Sequence, residues 1–213
     1  MKPKAIFFDV DGTIVPLKVA IKTFQETLEH FHIKPLSYKI LLKDAIGYSL
    51  HDTINKMIPD AIPIEKQFGK CFEELQIKNF KKYDKLLPYV KSTLDYIHKK
   101  GIKIGIVTTK KRNEALAILN GYNLHYNALV GGDEVEKVKP NPEPILRCCD
   151  KIETSPNFCM FVGDHPFDMT ASKSAGCKAV GVLTGWGNRK NLKDSGADYI
   201  IKNLKELIRL IDR

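Results

Sequence analysis

The chain has 213 residues, 43% hydrophobic and 28% charged. That balance excludes a disordered polymer and allows one domain, or a core with a smaller inserted one, to close without disulfide support. The formal charge is +9, but Lys and Arg are interleaved with acids throughout and cluster only at Lys110-Lys111-Arg112 and around Lys78–Lys85. No recognition-helix, zinc-finger or aromatic single-strand pattern accompanies them, so we expect a basic solvated surface that attracts small anionic substrates, with neither nucleic acid nor membrane as partner.

The apolar runs are far shorter than a membrane span, and the N-terminal residues lack the apolar stretch and cleavage site of a secretory leader. The five cysteines, at 71, 148, 149, 159 and 177, form an odd set without a C-x-x-C pair. They read as free thiols in a reducing, cytoplasmic compartment, without metal-ligand spacing.

Residues 4–10 predict a buried strand, with the apolar run Ala5-Ile6-Phe7-Phe8 leading into Asp9 and Asp11. Beyond Thr13 the period becomes helical. Leu17, Ala20, Ile21, Phe24, Leu28 and Phe31 share one face, a second helix runs from Leu36 to Ile46, a third from His51 to Ile58, and a fourth from Ile62 to about Phe80. From Pro88 helices and strands alternate. The strands are Ile102–Val107, Ala128–Val130, Phe158–Val162, Lys178–Leu183 and Tyr199–Ile201. The helices are Val90–His98, Lys111–Leu119, Pro142–Cys149, Asp168–Ala175 and Leu204–Ile211. Such alternation predicts an α/β fold, a Rossmann-like, mostly parallel sheet with helices on both faces. The helical block at 15–86 is then an inserted cap on a core made of 1–14 and 87–213.

Several strands end in polar residues that are costly to bury alone: Asp9 and Asp11, Thr108 and Thr109, then Asp164 followed by Asp168. Ligands of open α/β sheets bind outside the carboxyl ends of the strands, so these residues converge on one edge, within reach of Lys139 in its loop. Asp9, Asp164 and a backbone carbonyl offer hard oxygen donors suited to Mg²⁺, with Asp168 one helical turn from Asp164 to bind or orient. Thr108 and Lys139 suit phosphoryl oxygens, Asp9 suits a nucleophile, and Asp11 suits proton transfer to the leaving oxygen and then from water. His165 either lines the substrate entrance or caps the helix after it. Lys110, Lys111 and Arg112 read as solvated helix-start residues, one of them able to reach a second phosphate, and Trp186 as a packed loop aromatic or one that touches the cap or a partner subunit.

Four stretches in this order resemble the haloacid dehalogenase superfamily of phosphohydrolases, in its phosphoglycolate-phosphatase-like and pyrophosphatase-like branch with a helical cap. They are Asp9-Val10-Asp11-Gly12-Thr13, Ile106-Val107-Thr108-Thr109, Lys139-Pro140-Asn141-Pro142 and Val162-Gly163-Asp164-His165-Pro166-Phe167-Asp168. The resemblance spans nearly the whole chain. It implies Asp9 as nucleophile and metal ligand, and Asp11 as acid/base and a ligand through its carbonyl. It further implies Thr108, Thr109 and Lys139 around phosphate, Asp164 and Asp168 on or beside Mg²⁺, and a small phosphorylated metabolite as substrate. An acid at 11 favours phosphoryl transfer over halide loss. Thr109, where members often carry Asn, and His165, where they often carry Ser or Thr, bear on substrate preference. A sugar-phosphate mutase and a non-catalytic phosphate-binding protein are the alternatives.

Overall fold

The run Ala5–Phe8 has no polar side chain to turn outward, so it is stable only where both faces of its sheet are covered. The computed structural model, which describes residues 2–83 and 85–212, covers both. Positions 1, 84 and 213, which fall in the expected core and helical block, lie outside the described residues. The strands are β1 (Ala5–Phe8), β2 (Lys103–Val107), β3 (Ala128–Val130), β4 (Cys159–Gly163), β5 (Lys178–Val182) and β6 (Tyr199–Ile201). They form a six-stranded sheet in the order β3-β2-β1-β4-β5-β6, parallel at every pairing.

β1 is central, and its side chains alternate between two layers. Ile6 and Phe8 pack with Ile104 and Ile106 against α5 (Val90–Lys99), α6 (Arg112–Gly121) and α10 (Lys205–Ile211) through Leu94, Ile97, Ala115, Ile118 and Leu207. Ala5 and Phe7 pack with Phe161 against α7 (Glu143–Ile152) and α8 (Pro166–Ala175) through Ile145, Cys148, Ala171 and Ala175.

Between β1 and α5 the described residues form the helices α1 (Leu17–His30), α2 (Tyr38–Asp44), α3 (Leu50–Met57) and α4 (Glu65–Tyr83). This inserted region has its own core, in which Phe24 and Phe31 each pack on Phe68 with ring centroids 5.6 Å apart. Ser37 and Ser49 start α2 and α3 by accepting hydrogen bonds from the Ile40 and Asp52 amides. The chain enters and leaves the region side by side, the Leu87 amide donating to the Ile14 carbonyl at 2.9 Å. Among the described residues no helix is long and apolar enough to cross a membrane.

The helix expected from Ile62 begins instead at Glu65. Pro59 and Pro63 lack the amide hydrogens an α-helix needs, and Pro59–Ile64 forms a 3-10 turn. Helix α8 starts at Pro166, two residues ahead of the expected Asp168. A short helix, α9 (Arg189–Asp194), is absent from the sequence reading because it buries only Leu192; Asn188 and Asn191 hold its first turn by reciprocal side-chain-to-amide bonds.

Gly105 in β2 marks the tightest point of the second layer. A Cβ there would sit 2.5 Å from both Cys148 Sγ and Cδ1 of the Phe7 ring. Gly105→Val is therefore expected to lower the unfolding free energy by about 1–3 kcal/mol through overpacking. Denaturant titration measures this, and an unchanged midpoint would show that the layer yields.

Candidate active site

β1 stops hydrogen-bonding as a strand at Phe8, but its register carries one step further, the Asp9 amide donating to Val162 O at 2.9 Å. The chain then turns sharply, with the Thr13, Ile14 and Val15 amides all directed at Val10 O. Gly12 has φ +78°, and a Cβ on it would collide with the Asp164 carboxylate. A Cβ on Gly185 would strike the same carboxylate. The backbone thus crowds Asp164 closely enough that only glycine fits at these two points.

All four predicted acids meet at this edge. Lys139 Nζ donates to Asp9 Oδ1 at 2.7 Å and to Asp168 Oδ1 at 2.6 Å, joining the end of β1 to the first turn of α8. Asp168 Oδ2 accepts from the His165 amide at 2.9 Å. Asp164 Oδ1 accepts from Thr13 Oγ1 at 3.3 Å and Oδ2 from the Trp186 amide at 2.7 Å. Asp11 Oδ2 pairs with Lys110 Nζ at 2.9 Å, while Asp11 Oδ1 is buried without a partner among the described residues. Thr108 is buried beside them, its Oγ1 accepting from the Lys110 amide at 3.2 Å; Thr109, not Thr108, lines the cavity above the acids.

One sequence reading is corrected here. Lys110 is 6% exposed and turned into the site, with Phe80 under its ammonium and Asp11 as its partner; it is not a solvated helix-start residue. An alternating strand-end pattern gives no sign of which lysine of a basic triplet folds inward. Of the two readings left for Trp186, the structure takes contact with the inserted region: its indole N–H donates to Leu42 O in α2 at 2.7 Å and ties that region to the sheet edge. His165 performs both roles left open for it. Its Nδ1 accepts from the Phe167 amide, and its ring lines the cavity against Gly47 and Trp186.

Electrostatics follow from burial. Desolvation raises Asp9 to about 6 against the pull of Lys139, with Asp168 adding to the rise. Asp164 is pushed well above the usual carboxylate range, first by burial and then by Asp168 and Asp9. Glu114, buried behind Lys110, rises to about 7 by desolvation, and burial with the Lys139 charge lowers His165 to about 4, leaving it neutral. Asp9, Asp11, Asp164 and Asp168, with Glu114 behind them, face only Lys110 and Lys139, so the ionised cluster carries an excess of negative charge that a divalent cation would offset. One carboxylate oxygen each from Asp9, Asp164 and Asp168 lies within 4.8 Å of the others. Donor set, spacing and charge deficit all fit a hard divalent ion.

Over the acids lies a cavity of about 690 Å³, walled on one side by Asp9, Asp11, Thr109, Lys110 and Lys139 and on the other by Ile21, Phe24, Leu41, Tyr48 and Phe72 of the inserted region. A parallel sheet with paired acids and lysines at its carboxyl edge, beneath such a wall, defines an α/β enzyme acting on anionic small molecules. The family model described as Haloacid dehalogenase-like hydrolase matches residues 6–182, and the chain belongs to that family. It is 32% identical over 219 residues to pyrophosphatase PpaX of Bacillus mycoides, covering 100% of this chain and 99% of that one. It is 27% identical to phosphoglycolate phosphatase of Haemophilus influenzae, covering 98% of each. The solved structure of CbbY from Rhodobacter sphaeroides in complex with phosphate superposes with a TM-score of 0.89 at 17% identity, over 99% of this chain and 100% of that one, and shares the fold. The protein is a phosphohydrolase of this family.

Because the folded pKa of Asp164 lies above its unfolded value, its contribution to stability is fully present below the unfolded pKa and is lost as pH rises through the folded one. Asp164→Asn keeps an acceptor for the Trp186 amide and removes the buried charge. In metal-free protein it is expected to raise the thermal midpoint at pH 7.5, with the gain fading toward pH 4. Calorimetry across that range checks this, and a lowered midpoint at pH 7.5 counts against a strained carboxylate.

Proposed function

We propose that the enzyme hydrolyses a small phosphate monoester of the phosphoglycolate kind, or pyrophosphate, through an aspartyl phosphate on Asp9. The observation that carries this reading is the Lys139 ammonium set between Asp9 and Asp168, with Asp164 within metal-sharing distance and Asp11 alongside. A carboxylate nucleophile needs the charge of its phosphoryl target neutralised, and this cluster holds the means to do so.

An Asp9 carboxylate oxygen attacks phosphorus as the bond to the leaving oxygen breaks. Asp11 gives that oxygen its proton, then takes one from the water that attacks the aspartyl phosphate and returns Asp9. Lys110 fixes Asp11 through Oδ2 and leaves Oδ1 for the proton. Lys139 and Thr109, which line the cavity, hold the phosphoryl oxygens, with Thr108 buried beside the acids beneath them. Asp9, Asp164, Asp168 and the Asp11 carbonyl would hold Mg²⁺, which supplies positive charge against the transferring group.

Residues 15–86 act as the cap, with the paired connections at Ile14 and Leu87 as its hinge, and close over the substrate to exclude water. The cavity wall it supplies selects the leaving group, and Lys66 on that wall suits a second anionic group. The relatives named as pyrophosphatase and phosphoglycolate phosphatase support this substrate class. The five cysteines are free thiols, in keeping with a cytoplasmic site of action.

Asp9→Asn is expected to cut phosphate release by at least about four orders of magnitude with an unchanged circular dichroism spectrum. EDTA should abolish turnover of the wild-type enzyme, and Mg²⁺ should restore it. A phosphate-release panel of phosphoglycolate, pyrophosphate, sugar phosphates and nucleotides identifies the substrate. Turnover by Asp9→Asn at the wild-type rate would remove the nucleophile.

A further inference from the structure

At the opposite edge of the sheet from the acids, three cysteines that look unrelated in sequence come together. Cys149 lies in the last turns of α7, Cys159 opens β4, and Cys177 follows the glycine cap of α8. One sulfur from each lies within 4.8 Å of the other two, and the Cys149 and Cys159 sulfurs are 3.9 Å apart. This corrects the reading that the cysteines offer no metal arrangement. The fold supplies what linear spacing does not.

We propose that Cys149, Cys159 and Cys177 form a binding site for a soft, monovalent d¹⁰ cation of the Cu(I) class. Three observations select the ion. The donors are all sulfur, which favours Cu(I) or Zn²⁺ over the hard cations suited to the acid cluster. Among the described residues no other Cys, His, Asp or Glu joins the group, whereas structural zinc takes four ligands. All three side chains are at most 3% exposed, so no water reaches the cluster to complete a tetrahedron.

A planar three-sulfur site remains. Sulfurs about 2.3 Å from a central ion are then about 4 Å apart, close to the 3.9 Å between Cys149 and Cys159, with the third sulfur within 4.8 Å of both. Binding forms three metal–sulfur bonds and releases the thiol protons to solvent, so affinity rises with pH.

The ion would cross-link α7, β4 and the entry to β5. It would stabilise the fold in proportion to its affinity and concentration. β4 separates it from Asp164 by five residues, roughly 16 Å of strand. Loading therefore leaves the phosphohydrolase chemistry untouched, and the proposal stands whatever the substrate proves to be.

The test uses the full-length, fully reduced protein under anaerobic conditions, titrated with Cu(I) as its acetonitrile complex against a chromogenic Cu(I) chelator. One Cu(I) per chain, a raised thermal midpoint and retention by Cys71→Ser, which lies on α4 outside the cluster, are expected. Cys177→Ser should weaken binding by more than about 100-fold. Because that variant alters a packed core, X-ray absorption at the copper edge of the wild-type complex provides a second reading and should count three sulfurs. Failure to retain Cu(I), equal binding by Cys177→Ser, fewer than three sulfurs, or Zn²⁺ held as tightly would overturn the assignment and leave the thiols as packing.

Discussion

The arrangement turns on one buried ammonium. Lys139 arrives on a loop that has no fixed relation to β1 or α8 in sequence, yet its Nζ bonds carboxylates from both. Two acids brought this close out of water repel strongly unless a cation lies between them. Burial above all, with the neighbouring carboxylates, moves Asp9 and Asp164 upward, so the lysine offsets only part of a cost inherent in the site. What remains is a local excess of negative charge, a setting that suits a divalent ion. Stability and chemistry conflict here, as is common where a fold holds groups in readiness for a reaction.

The same edge shows how neighbouring elements share one task. The Asp164 carboxylate is held from Thr13 in the first turn and from the Trp186 amide in the loop after β5. Trp186 also reaches across to Leu42, so the segment that positions an acid anchors the helical region that walls the cavity. Tyr48 stacks edge-on against Phe167 with centroids 5.1 Å apart, a second contact of the same kind. Movement of the helices is therefore coupled physically to the loops that hold the acids.

Much of this was legible in the chain. An apolar run ending in Asp9-Val10-Asp11-Gly12-Thr13 fixes a strand and its edge, and the order of polar strand ends fixes which residues meet. Glycine and proline punctuation located most helices. What stayed hidden depends on tertiary placement. Lys110 shares a basic triplet with Lys111, which pairs at the surface with Glu73, and no local signal distinguishes them. Cys149, Cys159 and Cys177 meet only because α7, β4 and β5 are neighbours in space. Helix α9 has too little apolar periodicity to be visible, and the prolines at 59 and 63 permit a tighter 3-10 turn ahead of α4 that periodicity does not separate from it.

The single hydrogen bond between Leu87 and Ile14 carries an implication for how such a chain diversifies. A segment whose two ends are held at adjoining points can be lengthened, replaced or deleted without re-threading any strand, since the gap left behind is one that a short turn can bridge. Recognition can thus change by exchange of an entire module, while the acids and lysines gathered at the carboxyl edge of the parallel sheet keep their places.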